Sequence, residues 1–193
     1  LFGGDYRGQS STRKEEEGAK MTRKVTAILM TLIALSVTLP SNAFAEADGF
    51  RGIKWGTEFS TVKDSMTYLS TDPFYGGIKI YARKDDDLHI GGATLENIGY
   101  GFWQDKFCSV DIQFKGYTNY SSLKDALFEK FGAGSKTNRS LEEYFWHGEI
   151  TGMSLIYKEV LREGYLFMFS NEINKQQESL KSEKAKEGAE TGF

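Results

Sequence analysis

The feature that most constrains the fold is residues 97–115, where large apolar and polar residues alternate on either side of one polar break. Ile98, Tyr100 and Phe102 share a face of the first half. In the second half Cys108, Val110, Ile112 and Phe114 share a face, and Ser109, Asp111 and Gln113 lie opposite. A period of two is the signature of an extended strand with one buried side, and Gln104-Asp105-Lys106 supplies the turn between two antiparallel neighbours. Residues 78–83, 142–147, 150–157 and 165–170 read as further strands, with a shorter piece at 88–91, giving an antiparallel meander.

Two segments carry helical rather than strand periodicity. Over 121–131, Leu123, Ala126, Leu127 and Phe131 form an apolar stripe, and Gly132 stands where a helix ends. From Ser60 onward, Ser60 reads as a helix cap and Val62, Met66 and Leu69 fall at helical spacing, up to the breaking run Asp72-Pro73-Phe74-Tyr75-Gly76-Gly77. The openings Ser60-Thr61-Val62-Lys63-Asp64-Ser65-Met66 and Ser121-Ser122-Leu123-Lys124-Asp125-Ala126-Leu127 are alike. They suggest two helix-plus-sheet modules, 50–115 and 116–170, sharing a core; the bland alternative is that any capped amphipathic helix opens this way. The expected fold is therefore α+β, helices packed on an antiparallel sheet in one domain spanning 46–170. In the tail, 171–193, Ile173 and Leu180 are the only large apolar residues before Phe193, so a marginal helix or disorder is expected there.

A processing signal sets the expected start of that domain. Met21 is followed by Arg23 and Lys24, an apolar run over 25–39, Pro40-Ser41-Asn42 and the small-x-small site Ala43-Phe44-Ala45, which predicts a cleavable signal peptide and Glu46 as the mature N-terminus. The apolar run is shorter than the roughly 20 residues a membrane span needs. Residues 1–20, with Arg13-Lys14-Glu15-Glu16-Glu17-Gly18, read as a translated upstream region rather than native protein.

From Glu46 onward, 18 basic residues face 23 acidic ones, a net charge of −5 that opposes nucleic-acid and anionic-lipid binding. The single Cys108 forms no internal disulfide, and no cysteine follows the signal for lipid attachment. The expected location is periplasmic or secreted, without a membrane anchor after cleavage.

Phe50-Arg51-Gly52-Ile53-Lys54-Trp55-Gly56-Thr57, with Gly91-Gly92-Ala93-Thr94-Leu95, Tyr100-Gly101-Phe102 and the Phe131-Gly132 helix end, resembles a group of exported bacterial proteins described as hypothetical periplasmic proteins. The layout of helices on antiparallel strands also looks like the β-lactamase-inhibitor-protein architecture and the small lipoprotein of the outer-membrane barrel-assembly machinery. The chain lacks the cysteine pairs of the first and the lipid-attachment cysteine of the second. The resemblance implies a fold and export; it transfers no activity and no functional residue.

Chemistry-bearing patterns are sparse. Cys108 with His89 or His147 is the one Cys/His combination available, and Cys108 falls on an apolar strand face, where a free cysteine packs as a small hydrophobe. There is no Gly-x-Ser-x-Gly elbow. His147 and Glu149 fall at period two, but two ligands do not make a metal site, and Asp85-Asp86-Asp87 lacks the spacing of a calcium loop and reads as a solvated turn. The Gly-rich pieces lack phosphate-loop spacing. These patterns predict no catalytic residue, no metal and no cofactor.

What remains is aromatic surface. Trp103, Phe145 and Tyr157, with Tyr117 and Tyr120 near the helix start, form a candidate interaction face, although burial in the core is the stronger expectation for most of them. Phe50 and Trp55 are expected to pin the N-terminal segment to the sheet. The leading expectation is a non-enzymatic exported module that binds another envelope protein. An envelope enzyme or small-ligand carrier with a scattered site, near His147 and Glu149, is the alternative, and a structural envelope protein is a third.

Overall fold

The computed structural model describes residues 46–73, 77–138 and 140–192, so the expected signal peptide and upstream region lie outside the described residues. From Glu46 onward the chain forms β1 (Gly49–Phe50), β2 (Ile53–Lys54), two 3-10 turns (Phe59–Thr61 and Lys63–Ser65), β3 (Met66–Asp72), β4 (Ile78–Arg83), β5 (His89–Ile90), β6 (Ala93–Thr94), β7 (Asn97–Trp103), β8 (Lys106–Lys115), helix α1 (Tyr117–Phe131), β9 (Glu142–His147), β10 (Thr151–Lys158), β11 (Glu163–Ser170) and helix α2 (Asn171–Gly192). Seven strands make one antiparallel sheet in the order β3-β4-β7-β8-β11-β10-β9. The fold is α+β, with helices against an antiparallel sheet.

The long alternating segment forms the centre of that sheet. β7 and β8 pair as the pattern predicts, through a tight turn in which Gln104 and Asp105 both take positive φ, 48° and 60°. Such a two-residue turn matches the right-handed twist of the strands it joins. Ile98, Tyr100, Phe102, Val110, Ile112 and Phe114 are buried on one face. Cys108 departs from its expected place. The register passes from Gly101 opposite Ser109 to Phe102 opposite Phe107, so Cys108 is the extra residue of a bulge. It turns to the other face and packs with Ile78, Trp103 and Ile173.

α1 begins at Tyr117, earlier than the expected 121, on the backbone of Gly116 rather than on a serine cap. Its buried residues are Tyr120, Leu123 and Leu127. It stops where expected: Gly132 takes φ 76° and its N–H donates to the Phe128 carbonyl at 2.9 Å.

The helix expected from Ser60 does not form. Residues 59–65 make two short 3-10 turns, and Met66 and Leu69 belong to β3, an edge strand of the sheet. Thr67, Thr71 and Tyr68 favour extended backbone, and pairing with β4 satisfies donors that an isolated short helix would leave weakly supported. The likeness of the two Ser-led openings is thus not a likeness of structure, and the described residues of 50–115 hold no α-helix to match α1. The tail takes the helical option as α2, tied to the sheet by Ile173.

The N-terminal segment closes the main core as expected. Trp55 stacks on Phe107 at 4.9 Å and donates to Thr151 Oγ1 at 2.6 Å, while Phe50 packs against Tyr100. The Glu46 carboxylate accepts the backbone N–H groups of Ile150 and Thr151 in the β9–β10 turn.

Candidate functional site

A large concavity lies where the N-terminal hairpin, the β4–β5 connection and the C-terminal half of α1 meet over the sheet, a cavity of about 930 Å³. Its floor is apolar. Leu166 and Met168 rise from β11, Leu127, Ala126 and Phe131 come from α1, and Phe50 and Ile90 close the sides. Leu127 and Phe131 are there because the α1 stripe spaces them one turn apart, and Gly132 ends the helix before it can cover the opening.

One polar wall is a network built on Asp86. In the β1–β2 turn Arg51 and Gly52 both have positive φ, 47° and 81°. This tight turn directs the Arg51 guanidinium across the cavity to an ion pair with Asp86, and its second nitrogen donates to the His89 carbonyl at 2.9 Å. Tyr100, fully buried, donates its hydroxyl to the other Asp86 oxygen at 2.6 Å. Burial, and then the bond to Asp86, push the Tyr100 phenol far above its ordinary range, so it stays a donor. Asp86 is therefore no part of a solvated turn: its side chain is only 9% exposed. Its neighbour Asp87 does face water and pairs with His89 Nδ1 at 2.8 Å, a bond that holds its carboxyl below the usual range.

The remaining rim mixes Arg83, Lys84 and Lys130 with the carboxylates of Asp85 and Asp87. Arg83 donates to the Arg51 carbonyl at 3.3 Å, and Lys130 lies over the Phe131 ring at 5.3 Å. Neither has a carboxylate partner among the described residues. An arginine fixed by a carbonyl keeps its charge available to an incoming anion.

No family model, curated protein or solved structure matches this chain. The cavity must be read from its own chemistry.

The five aromatic candidates do not share a surface. Tyr120 and Tyr157 are buried and stacked on each other at 4.8 Å in the main core, and Tyr120 donates its hydroxyl to Glu142. That bond lowers the Glu142 pKa and, with burial, raises that of Tyr120. Tyr117 leans on this pair from the helix start and is 55% exposed. Trp103 is buried on the opposite face beside Ile173. Phe145 is half-buried on β9 and stacks with His147.

The other candidates are equally scattered. His147 ends β9 and Glu149 lies in the following turn, so the two do not sit on one strand face. Cys108 is buried, its thiol donates to the Gly101 carbonyl at 3.4 Å, and burial pushes its pKa up to about 11, which keeps it a thiol rather than a thiolate. Among the described residues no cluster of three or more His, Cys, Asp or Glu side chains could hold a metal ion. Sequence reasoning missed Arg51, Arg83 and Asp86. The signal was thin: Arg51-Gly52 is a tight-turn pair, but nothing in the chain announces that its partner is the middle of three aspartates.

Proposed function

We propose that the mature chain is a non-enzymatic exported binding protein, and that the cavity over β11 holds a small amphipathic molecule bearing an anionic group. The observation that carries this reading is an apolar floor beneath a mixed charged rim in which Arg51, Arg83, Lys84 and Lys130 stand against Asp85, Asp86 and Asp87, with Arg83 and Lys130 in no ion pair among the described residues. The volume falls among those of small-molecule sites, roughly 300–1,000 Å³. A tail would lie along Leu127, Phe131, Leu166 and Met168, and the head would meet the two cations. Arg51 is already neutralised by Asp86 and serves as wall. Among the described residues no Ser, Thr or Cys lines the cavity for the Asp87–His89 pair to activate, which favours binding over turnover.

Titration of the purified mature chain with decanoate, and with decanol as its uncharged counterpart, tests this. Decanoate should bind at least tenfold tighter, and the Arg83→Ala/Lys130→Ala double variant should lose that preference while melting like the wild type. Equal affinity for the two probes, or none for either, would remove the reading.

A second reading, engagement of another envelope protein, has one specific observation behind it. β3 is an open sheet edge, and its Tyr68 and Leu69 are 55% and 53% exposed, which suits addition of an extended strand from a partner. Crosslinked capture from the cell envelope with wild type and with Tyr68→Lys/Leu69→Lys tests it. A stoichiometric partner lost in the variant supports this reading; an identical capture from both removes it.

A further inference from the structure

The opposite face of the sheet carries a second concavity, a groove of about 600 Å³ lying over β4, β7, β8 and β11 and bounded by β3. Its shape comes from glycine. A Cβ on Gly99 would sit 3.0 Å from Ile80 Cγ2, and one on Gly101 would sit 2.1 Å from Ser109 Oγ. Ile80, Ile78 and Ser109 lie down into the space that side chains at 99 and 101 would fill, so both glycines are buried and the face is lower there than a sheet is normally. Leu69, Ile80 and Phe167 make the walls apolar.

Into this apolar hollow β8 places Asp111. Gln113 Nε2 donates to its carboxylate in a long hydrogen bond, at 3.3 Å. Among the described residues no lysine, arginine or histidine lines the groove and none forms an ion pair with Asp111; the other carboxylate on the lining is Asp72 of β3, at the bounding edge. Burial raises the pKa of this carboxyl, with the Gln113 bond opposing. A half-buried carboxylate without a counter-ion costs stability. An asparagine would fill the same space without that cost. The charge has a use if the cation arrives from outside.

We propose that this groove binds an organic ammonium with an apolar body, the ammonium pairing with the Asp111 carboxylate and the apolar part lying over the low stretch of β7 between Ile80 and Phe167. The site is independent of the cavity on the other face and opposite to it in charge preference. A free amine and the lysine side chain of another protein present the same chemistry, and the ligand's apolar body separates them.

The test uses ¹⁵N-labelled mature chain titrated with 2-phenylethylammonium, with its uncharged counterpart 2-phenylethanol, and with Nα-acetyl-lysine methylamide. The ammonium should shift the amides of Gly99 and Gly101 and bind at least tenfold more tightly than the alcohol, and Asp111→Asn should abolish that difference. Tighter binding of phenylethylammonium than of the lysine derivative assigns the groove to free amines; the reverse order assigns it to a protein lysine. Absence of shifts at these glycines with both cations, or affinities unchanged in Asp111→Asn, would overturn the proposal. A readout that needs no variant is the pH dependence of cation affinity in the wild type, which should fall as pH drops through the titration of Asp111; a flat profile would also overturn it.

Discussion

The two faces of the sheet are built from alternate residues of the same strands, yet they have met different fates. On one, Tyr100, Phe102, Val110, Ile112, Leu155 and Leu166 are sealed by α1 and by the N-terminal segment. On the other, Ile78, Trp103 and Cys108 are sealed only where Ile173 of α2 reaches them, and the rest of the face stays open over Gly99 and Gly101. The difference follows from what is available to cover each side. α1 offers a stripe of Tyr120, Leu123 and Leu127, all buried, whereas past Ile173 α2 has only Leu180 as a large apolar residue before Phe193, and that residue is 37% exposed. Stability resides on the first face. Chemistry is left exposed on the second and at a margin of the first that α1 ends too early to cover.

If this division is right, truncation on the open face should cost less than truncation on the covered one, even where more atoms are removed. Leu123 is fully buried between α1 and the sheet, and Leu123→Ala should destabilise the chain by about 3 kcal/mol. Phe167→Ala, a larger deletion on the open face, should cost about 1 kcal/mol or less. Urea denaturation followed by fluorescence measures both. Equal losses would mean that the second face is covered in solution by something beyond α2.

The next effect concerns the margin of the covered face. Asp86→Asn keeps an acceptor for Tyr100 but leaves Arg51 without its counter-ion, and should cost about 2 kcal/mol. Because Arg51 is wall rather than ligand contact, decanoate affinity measured well below the melting temperature should change less than it does in the Arg83→Ala/Lys130→Ala variant. The reverse order would make Arg51 the anion-binding group.

Smaller still is the hold on α2. Ile173→Val should cost on the order of 1 kcal/mol, and hydrogen exchange should accelerate across α2 while β7 and β8 stay protected. Protection lost equally across the sheet would show that the two faces are one cooperative unit and that their difference is only of degree.

Much of this comparison was legible in the residues, and the failures are instructive. β7 and β8 follow from period-two alternation, because a sheet with one sealed face imposes that period on its central strands. The end of α1 follows from Gly132. The segment from Ser60 misled because Val62, Met66 and Leu69 satisfy helical spacing by chance, and the contacts that decide otherwise are with β4, a partner no local window contains. Cys108 was assigned to the wrong face because a one-residue bulge inverts every inference drawn from alternation beyond it. The candidate sites were least legible. Arg51 meets Asp86 from 35 positions away, and Asp111 looks like any outward strand residue until two glycines on the neighbouring strand are seen to hollow the sheet beside it.

The smallest expected effect is the most discriminating, because its sign opposes that of the others. The folded-state pKa of Asp111 is raised by burial above its unfolded value, so folding favours the protonated form. Below the unfolded pKa the side chain is neutral in both states and carries no penalty. As pH rises through the unfolded and then the folded pKa, the chain must hold a carboxylate in the groove, and stability is lost over that window. Asp111→Asn should therefore match the wild type in acid and exceed it at neutral pH, by about 2 °C in Tm given the partial exposure of the group. A residue kept at a cost in stability and needed for cation affinity has the properties of a binding group. If Asp111→Asn instead lowers Tm at neutral pH, the carboxylate is supporting the sheet through a partner in the fold, and the open face has no vacancy for a cation.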